Sequence, residues 1–319
     1  MTDFHLSVLP EQVCQAIVPA IDAHPQGAVV DATCGAGGHT AAILARSRPG
    51  RVILLDRDPA ALAHAQGRLA DSPCPLSFRH ARFSTLTQVL DELEVPCITG
   101  LIADIGVSSH QLDAGERGFS FRADAPLDMR MDPTSGQTAA ELIASLDAAE
   151  LAELLRRYGE EPEARRIAAA IVRARPKTTG ALAVTVENAM SGRARRALGK
   201  RIHPATRTFQ ALRIVVNGEL DELDALLEVA PARLCVGGRM AVISFHSLED
   251  RKVKRRFAEL TRPPAVPKHL PLTADELPKP SYAIPAGISR KGMQAEADEL
   301  ARNPRSRSAR LRVIERISA

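Results

Sequence analysis

Three glycines, a histidine and two carboxylates carry the chemistry of which this chain is capable. Gly35, Gly37 and Gly38 crowd the stretch DATCGAGGHTAAIL, from Asp31 to Leu44, with His39 directly after them. An apolar run, AVV, leads into the stretch and an amphipathic helical pattern leads out. The glycines therefore predict a strand-to-helix turn that offers backbone N–H groups and the positive end of a helix to a ligand. Asp56 ends the apolar run VILLD, nineteen residues after Gly37, where a carboxylate can accept from both hydroxyls of a ribose. Asp104 ends the apolar part of CITGLIADIGVSS and is placed near whatever reacts at that edge.

The glycine spacing discriminates between ligands. A dinucleotide fingerprint, GxGxxG, would set glycines at 35, 37 and 40, but position 40 is Thr and Gly38 is extra. The third glycine of that fingerprint packs a helix closely over a pyrophosphate, so its absence counts against a nicotinamide cofactor. A carboxylate at Asp56 serves any adenosine ligand. S-adenosylmethionine has no phosphate and needs close backbone approach around its methionine moiety, which GAGG followed by His suits. From position alone Asp104 serves equally as a cap of the following turn, and Phe83 reads as core.

These residues need elements to hold them. AVVDAT and VILLD are short apolar runs ending in polar residues, as buried parallel strands do. Asp58 and Pro59 open a helix after the second. LSFRHARF and CITGLIADIGVSS continue a βαβα pattern, whose active groups belong at the carboxyl ends of the strands. From Gln111 to Gly136 the chain is rich in Gly, Asp and Arg without clean periodicity, an ordered loop or a flexible one. Helical patterns follow in DAAELAELLRRYG, EARRIAAAIVRARP and GALAVTVENAM, then in TFQALRIVVNGELDELDALLEVA, read as one helix. Strand patterns return with GGRMAVISFHS and SARLRVIERI, and the Pro-rich 262–287 region reads as a surface connection. The fold class is thus α/β, a Rossmann-like domain interrupted by a mainly helical insertion. Its expected parts are residues 1–115, an insertion 116–205, and residues 206–319.

Composition bounds the partners. With 319 residues, 45% of them hydrophobic, the chain can bury a sizeable core, and no apolar run approaches the roughly 18 to 20 residues that cross a bilayer. The amino-terminal stretch lacks the basic and apolar regions of a secretory signal, so a cytoplasmic location and no membrane partner are expected. Five cysteines, without a CxxC pair, predict buried thiols rather than a disulfide framework or a zinc site, and no metal is expected. Pro73-Cys74 and Pro96-Cys97 stand in the wrong places to supply the nucleophile of cytosine carbon-5 methylation. Net charge is only +4, yet Asn188 to Gly218 holds seven basic residues and no acidic one. Arg251, Lys252, Lys254, Arg255 and Arg256 form a second cluster and RNPRSRSARLR a third. Three such clusters favour a polyanion, held through phosphates because aromatic content is only 3%.

Five blocks give these features a common setting. DATCGAGGHT, DIGVSSHQLDAGERGFSFRADAPLDMRMD, HPATRTFQALRIVVNGEL, GGRMAVISFHSLEDRKVKRRF and NPRSRSARLRVIER occur in this order. Together they resemble the signature blocks of the bacterial 16S ribosomal RNA cytosine-N4 methyltransferases, the RsmH or MraW family. The resemblance implies a class I methyltransferase domain with an inserted helical, substrate-recognising domain. It also implies transfer of a methyl group from S-adenosylmethionine to the exocyclic N4 of a cytidine in the decoding centre. Carried over by motif, cofactor contacts fall on Gly37, Gly38 and His39 at the methionine side, and on Asp56 at the ribose. Phe83 is then beside the adenine, with Asp104 and Gln111 near the sulfonium end. Cys34, His110 and Ala125 stand where the family usually has Phe or Leu, Pro and Gly. The fourth strand runs into DIGV rather than the PPY or PPW of DNA amino methyltransferases. No catalytic residue is assigned: the acceptor for the amino hydrogens is Asp104, a turn carbonyl after it, or a group of LDMRMD. The partner is 16S ribosomal RNA or the small ribosomal subunit, and a homodimer is left open. A non-catalytic RNA-assembly factor and a nicotinamide oxidoreductase are the rival readings.

Overall fold

The computed structural model describes residues 7–108, 111–112, 115–199, 203–265 and 278–319. The chain divides into two compact units, one ending at Gly106 and resuming at Asp221, the other Val107–Leu220. These limits differ from the 116–205 insertion read from the sequence.

The first unit opens with α1 (Pro10–Ala23), then β1 (Ala28–Asp31), α2 (Gly38–Leu44), β2 (Arg51–Asp56), α3 (Pro59–Arg68), β3 (Leu76–His80), α4 (Leu86–Glu92) and β4 (Ile98–Asp104). As the sequence pattern leads one to expect, Asp58 caps α3 by accepting from Ala60 N, with Pro59 in its first turn.

The second unit is helical: α5 (Ala139–Ser145), α6 (Ala148–Gly159), α7 (Ala164–Ala174), α8 (Thr179–Ala189), α9 (Gly192–Leu198) and α10 (Thr206–Asn217). Thr138 and Asp147 start α5 and α6 as reciprocal caps with Glu141 and Glu150. Leu151, Leu155, Ile167, Ile171, Leu182, Val186 and Leu212 form a core of its own. The boundary lies beyond residue 205 because α10 contributes Phe209, Ala211 and Leu212 to that core. The single helix expected over 208–230 is two, α10 and α11 (Glu219–Val229), because Gly218 sits at φ +60 and turns the chain left-handed.

The chain then completes the first unit with β5 (Leu234–Ser244), α12 (Ser247–Leu260), β6 (Tyr282–Ala283), α13 (Ala297–Arg302) and β7 (Arg310–Arg316). β6 lies within the stretch expected to be only a surface connection; it pairs antiparallel with β7. The sheet order is β3-β2-β1-β4-β5-β7-β6, with β1 to β5 parallel and β7 antiparallel to β5. This is the α/β architecture expected from the sequence. Alternate residues face opposite sides, so Val29, Ile102, Ala241, Ile243 and Val313 pack with Ile17 and Ile21 of α1. Val30, Leu101, Ala103, Val242 and Ile314 meet Leu90, Leu223, Leu227 and Phe257 on the other side.

Cysteine pairing departs from expectation. Cys97 and Cys235 form a disulfide, Cα atoms 5.1 Å apart, because each lies at the amino end of one of two adjacent strands. Cys14, Cys34 and Cys74 are free thiols.

The Gln111 to Gly136 stretch, where described, is ordered by side chains rather than by regular structure. Asn217, 2% exposed, accepts from Met131 N at 2.7 Å and donates to Met129 O at 2.7 Å. Arg117 donates to the carbonyls of Arg130 and Met131. Ala125, in place of the family's glycine, is not among the positive-φ residues, so its methyl group imposes no left-handed strain. Asn217→Ala leaves a buried N–H and a buried carbonyl unpaired, and should destabilise the protein by about 2 to 4 kcal/mol. Urea unfolding of variant and parent measures this; a loss under about 0.5 kcal/mol would mean that the loop is held by other contacts.

Candidate active site

The turn after β1 is shaped by its glycines. Gly35 and Gly37 adopt φ +51 and +74, the left-handed region that favours glycine. Gly38 is fixed by approach rather than by φ: a Cβ there would lie 2.0 Å from Ser7 Oγ. Around Gly35 a Cβ would meet no heavy atom nearer than 3.9 Å, so the backbone there is open to a ligand.

Asp56 fastens this turn to the next strand. Its Oδ2 accepts from Gly35 N at 2.7 Å and its Oδ1 from Asp58 N at 2.9 Å. Each carboxylate oxygen retains a lone pair for a ribose hydroxyl. Desolvation pushes the Asp56 carboxyl up to about 6, even against the two N–H donors.

Asp104, at the end of β4, is drawn toward the same turn. Its N–H donates to Thr33 Oγ1 at 2.6 Å, and its Oδ2 lies 3.4 Å from His39 Nε2. His39 is 5% exposed in the first turn of α2. Next to it, Thr40 donates to Oδ2 of Asp31, which is 1% exposed and whose carboxyl is pushed up by burial. Cys34, also buried, has its thiol pushed up by desolvation and by the nearby Asp31 and Asp56, which makes it an inert neighbour rather than a nucleophile.

Phe83 follows β3 in a short 3-10 turn, half-buried against the core below α4. Glu222 of α11 holds that turn by accepting from Ser84 N at 3.3 Å and pairing with Arg82. Gly37, Gly38, His39, Asp56, Phe83 and Asp104 therefore all belong to the strand-end turns of the first unit. Gln111 belongs to the other unit, where it is buried and its Oε1 accepts from Ser108 N at 2.9 Å. His110 lies outside the described residues. Sequence reasoning missed Asp31, Thr33, Thr40 and Glu222. The first three were visible as polar residues flanking the glycines of one block; Glu222, far along the chain, left no local signal.

A family model, the MraW methylase family, matches residues 2–317. This chain belongs to the MraW methylase family. A relative from Azoarcus sp. strain BH72 is 49% identical over 317 residues, covering 98% of this chain and 96% of its own. One from Syntrophotalea carbinolica is 46% identical, with 98% of each chain covered. Both bear the name ribosomal RNA small subunit methyltransferase H. Among solved structures, an rRNA methylase from Streptococcus thermophilus aligns at 12% identity and a TM-score of 0.39, over 97% of this chain and 94% of its own.

The basic clusters of the methylase differ in what surrounds them. Arg193, Arg195 and Arg196 of α9 are exposed, and none has an acidic partner among the described residues. Arg213 of the same segment is closed in a two-pronged pair with Glu219. In α12, Lys252 pairs with Asp224, Arg255 with Glu259, and Arg256 with Glu228 and Glu259. Arg312 of the tail is spent on Asp250. Lys200 and Arg201 lie outside the described residues.

Asp56 yields a test with a definite sign. A carboxylate that accepts from ribose hydroxyls must be ionised, and the free protein takes up the proton as pH falls through about 6. Binding below that value must expel a proton, so affinity for S-adenosylmethionine should weaken about tenfold between pH 7 and pH 5. Asp56→Asn should flatten that dependence. Calorimetry at three pH values reads both; an affinity equal at pH 5 and 7 would remove Asp56 from the site.

Proposed function

We propose that this protein transfers a methyl group from S-adenosylmethionine to the exocyclic N4 of a cytidine in small-subunit 16S ribosomal RNA, at the decoding centre. The observation that carries the reading is the family match over nearly the whole chain, joined to relatives of that name at 46 to 49% identity. The site supports it independently. Open backbone at Gly35 and a carboxylate at Asp56 are features that an adenosine ligand needs.

In this reading the backbone from Gly35 to Gly38 holds the methionine moiety, with His39 beside it. Asp56 holds the ribose, Phe83 lies beside the adenine, and Asp104 serves the sulfonium end. S-adenosylmethionine supplies an electrophilic methyl group. What remains for the protein is orientation, because the cytosine N4 lone pair is delocalised into its ring and is a weak nucleophile. Aligning nitrogen, carbon and sulfur is the kind of effect that contributes several kcal/mol, roughly 7 to 11 in the most favourable intramolecular cases.

The helical unit is the substrate-recognising part, and α9 is its phosphate-binding element. Its three arginines have no acidic partner among the described residues, whereas Lys252, Arg255 and Arg256 of α12 are paired with acidic neighbours. The target nucleotide is reached in folded RNA, exposed or extruded from its stack.

Radiolabel from S-adenosylmethionine should enter small ribosomal particles and appear as N4-methylcytidine after digestion. Particle binding without transfer would point instead to a non-catalytic assembly role. Replacing Arg193, Arg195 and Arg196 together with Gln should weaken RNA binding and flatten its salt dependence, by about 0.7 to 0.9 in log-log slope for each phosphate no longer neutralised. Cofactor affinity should stay at the parent value. Equal RNA affinity and slope in variant and parent would take α9 out of the interface.

A further inference from the structure

Methylating an exocyclic amine releases a proton, and three kinds of group could receive it. The acidic residues of LDMRMD are already committed. Asp128 is held by Arg130 through Nε and Nη2, both at 2.8 Å, and also takes Arg130 N at 3.0 Å. Asp132 caps its own turn through Thr134 and Ser135. A backbone carbonyl can polarise an N–H but cannot hold a proton.

Asp104 is different. Its Oδ2 is engaged by His39 Nε2 at 3.4 Å, while its Oδ1 is buried with no hydrogen-bond partner among the described residues. His39 Nδ1 is likewise buried and unpartnered among them. A pair kept for packing alone would satisfy those atoms, because leaving buried polar groups unmade costs stability. Three carboxylates face the imidazole: Asp104 from β4, Asp31 from β1 and Glu299 from α13. Burial opposes a charged ring, but the contact with Asp104 and the other two acids outweigh it, and His39 holds its proton above the ordinary histidine range.

We propose that Asp104 is the catalytic proton acceptor of the reaction and His39 its positioning residue, which engages Oδ2 and leaves Oδ1 for the target amine. This rests on the reading of the protein as a cytidine-N4 methylase. The N4–carbon bond forms as the carbon–sulfur bond breaks, with that electron pair passing to sulfur. The N4 proton passes to Asp104 Oδ1 and leaves to solvent once the product has gone. His39 retains its own proton throughout.

The first arm of the test needs no substrate. In the ligand-free protein, the imidazole of His39, assigned by its absence in His39→Asn, should titrate by NMR above ordinary histidine and fall in Asp104→Asn. The second arm is the pH profile of single-turnover methyl transfer to small ribosomal particles. His39→Asn should move its acid limb to higher pH by about one unit, the lower end of what loss of an adjacent opposite charge produces. A His39 titration indifferent to Asp104→Asn would overturn the proposal, even if His39→Asn failed to fold. So would a His39→Asn profile that falls in height without moving along the pH axis. Absence of transfer by the parent protein would overturn the functional reading, and the proposal with it, whereas parent transfer with an unmoved limb would overturn the proposal alone.

Discussion

The carboxylate of Asp56 joins the two turns on which the site is built. One oxygen takes the N–H of Gly35, the other that of Asp58. A glycine turn left to itself would sample many conformations, since glycine loses more freedom on ordering than any other residue. Asp56 limits that sampling by tying the turn after β1 to the turn after β2. Strand pairing continues the constraint, with Asp31 in register with Leu54 and Ile102. Thr33 then brings the end of β4 to the same turn by accepting from Asp104 N. Asp31, Asp56 and Asp104 thus end three neighbouring strands of the sheet, with His39 beside Asp104.

Such a concentration of acid at one edge is possible because the sheet is parallel. Parallel strands need crossover connections, and the order reverses where β1 lies between β2 and β4. Turns leaving that point diverge to opposite faces and open a crevice at the carboxyl ends. Side chains within the strands are committed to two apolar layers. Chemistry is therefore confined to strand ends, which is where Asp31, Asp56 and Asp104 stand.

This division explains what could be read in advance. Strand ends announce themselves as an apolar run meeting a polar residue, so Asp56, Asp104 and the glycine turn were legible from local pattern. Asp31 was not singled out, because an acid inside an otherwise apolar segment reads as the edge of a strand rather than as a partner for Thr40. Glu222 was out of reach: its contact with Ser84 crosses 138 positions, and nothing near either residue announces the other. The break at Gly218 was passed over because the helical periodicity is sound on both sides of it; one left-handed residue ends a helix without disturbing the pattern. Charge was legible as clusters but not as free charge. Only the tertiary neighbours show that α12 spends Lys252, Arg255 and Arg256 on Asp224, Glu228 and Glu259, while Arg193, Arg195 and Arg196 of α9 have no acidic partner among the described residues.

The disulfide bears on the site from the opposite end of the same strands. β4 and β5 are adjacent in the sheet, yet the whole of Val107–Leu220 intervenes between them. Joining the ends of a flexible segment costs entropy that grows with the logarithm of its length. A segment with its own hydrophobic core offsets that cost by the apolar surface it buries within itself. Register is a separate problem. Between Ile98 and Gly100 the partner on β5 advances from Leu234 to Arg239, an irregularity that Gly237 at φ +83 and the close approach of Gly238 to Ile98 O permit. Cys235 lies in that irregular stretch, and its bond to Cys97 fixes where the two strands begin to pair. A slip of one residue would turn every side chain of a strand to the other face. Asp104 faces Ile243 in the ladder, and its Oδ2 reaches His39 only in that register. Closing a loop of 138 residues also removes conformational freedom from the unfolded chain, on the order of 5 kcal/mol in the chain-entropy model. The bridge thus acts on the unfolded state through loop length and on the site through register, although neither cysteine lies at the edge where Asp104 stands.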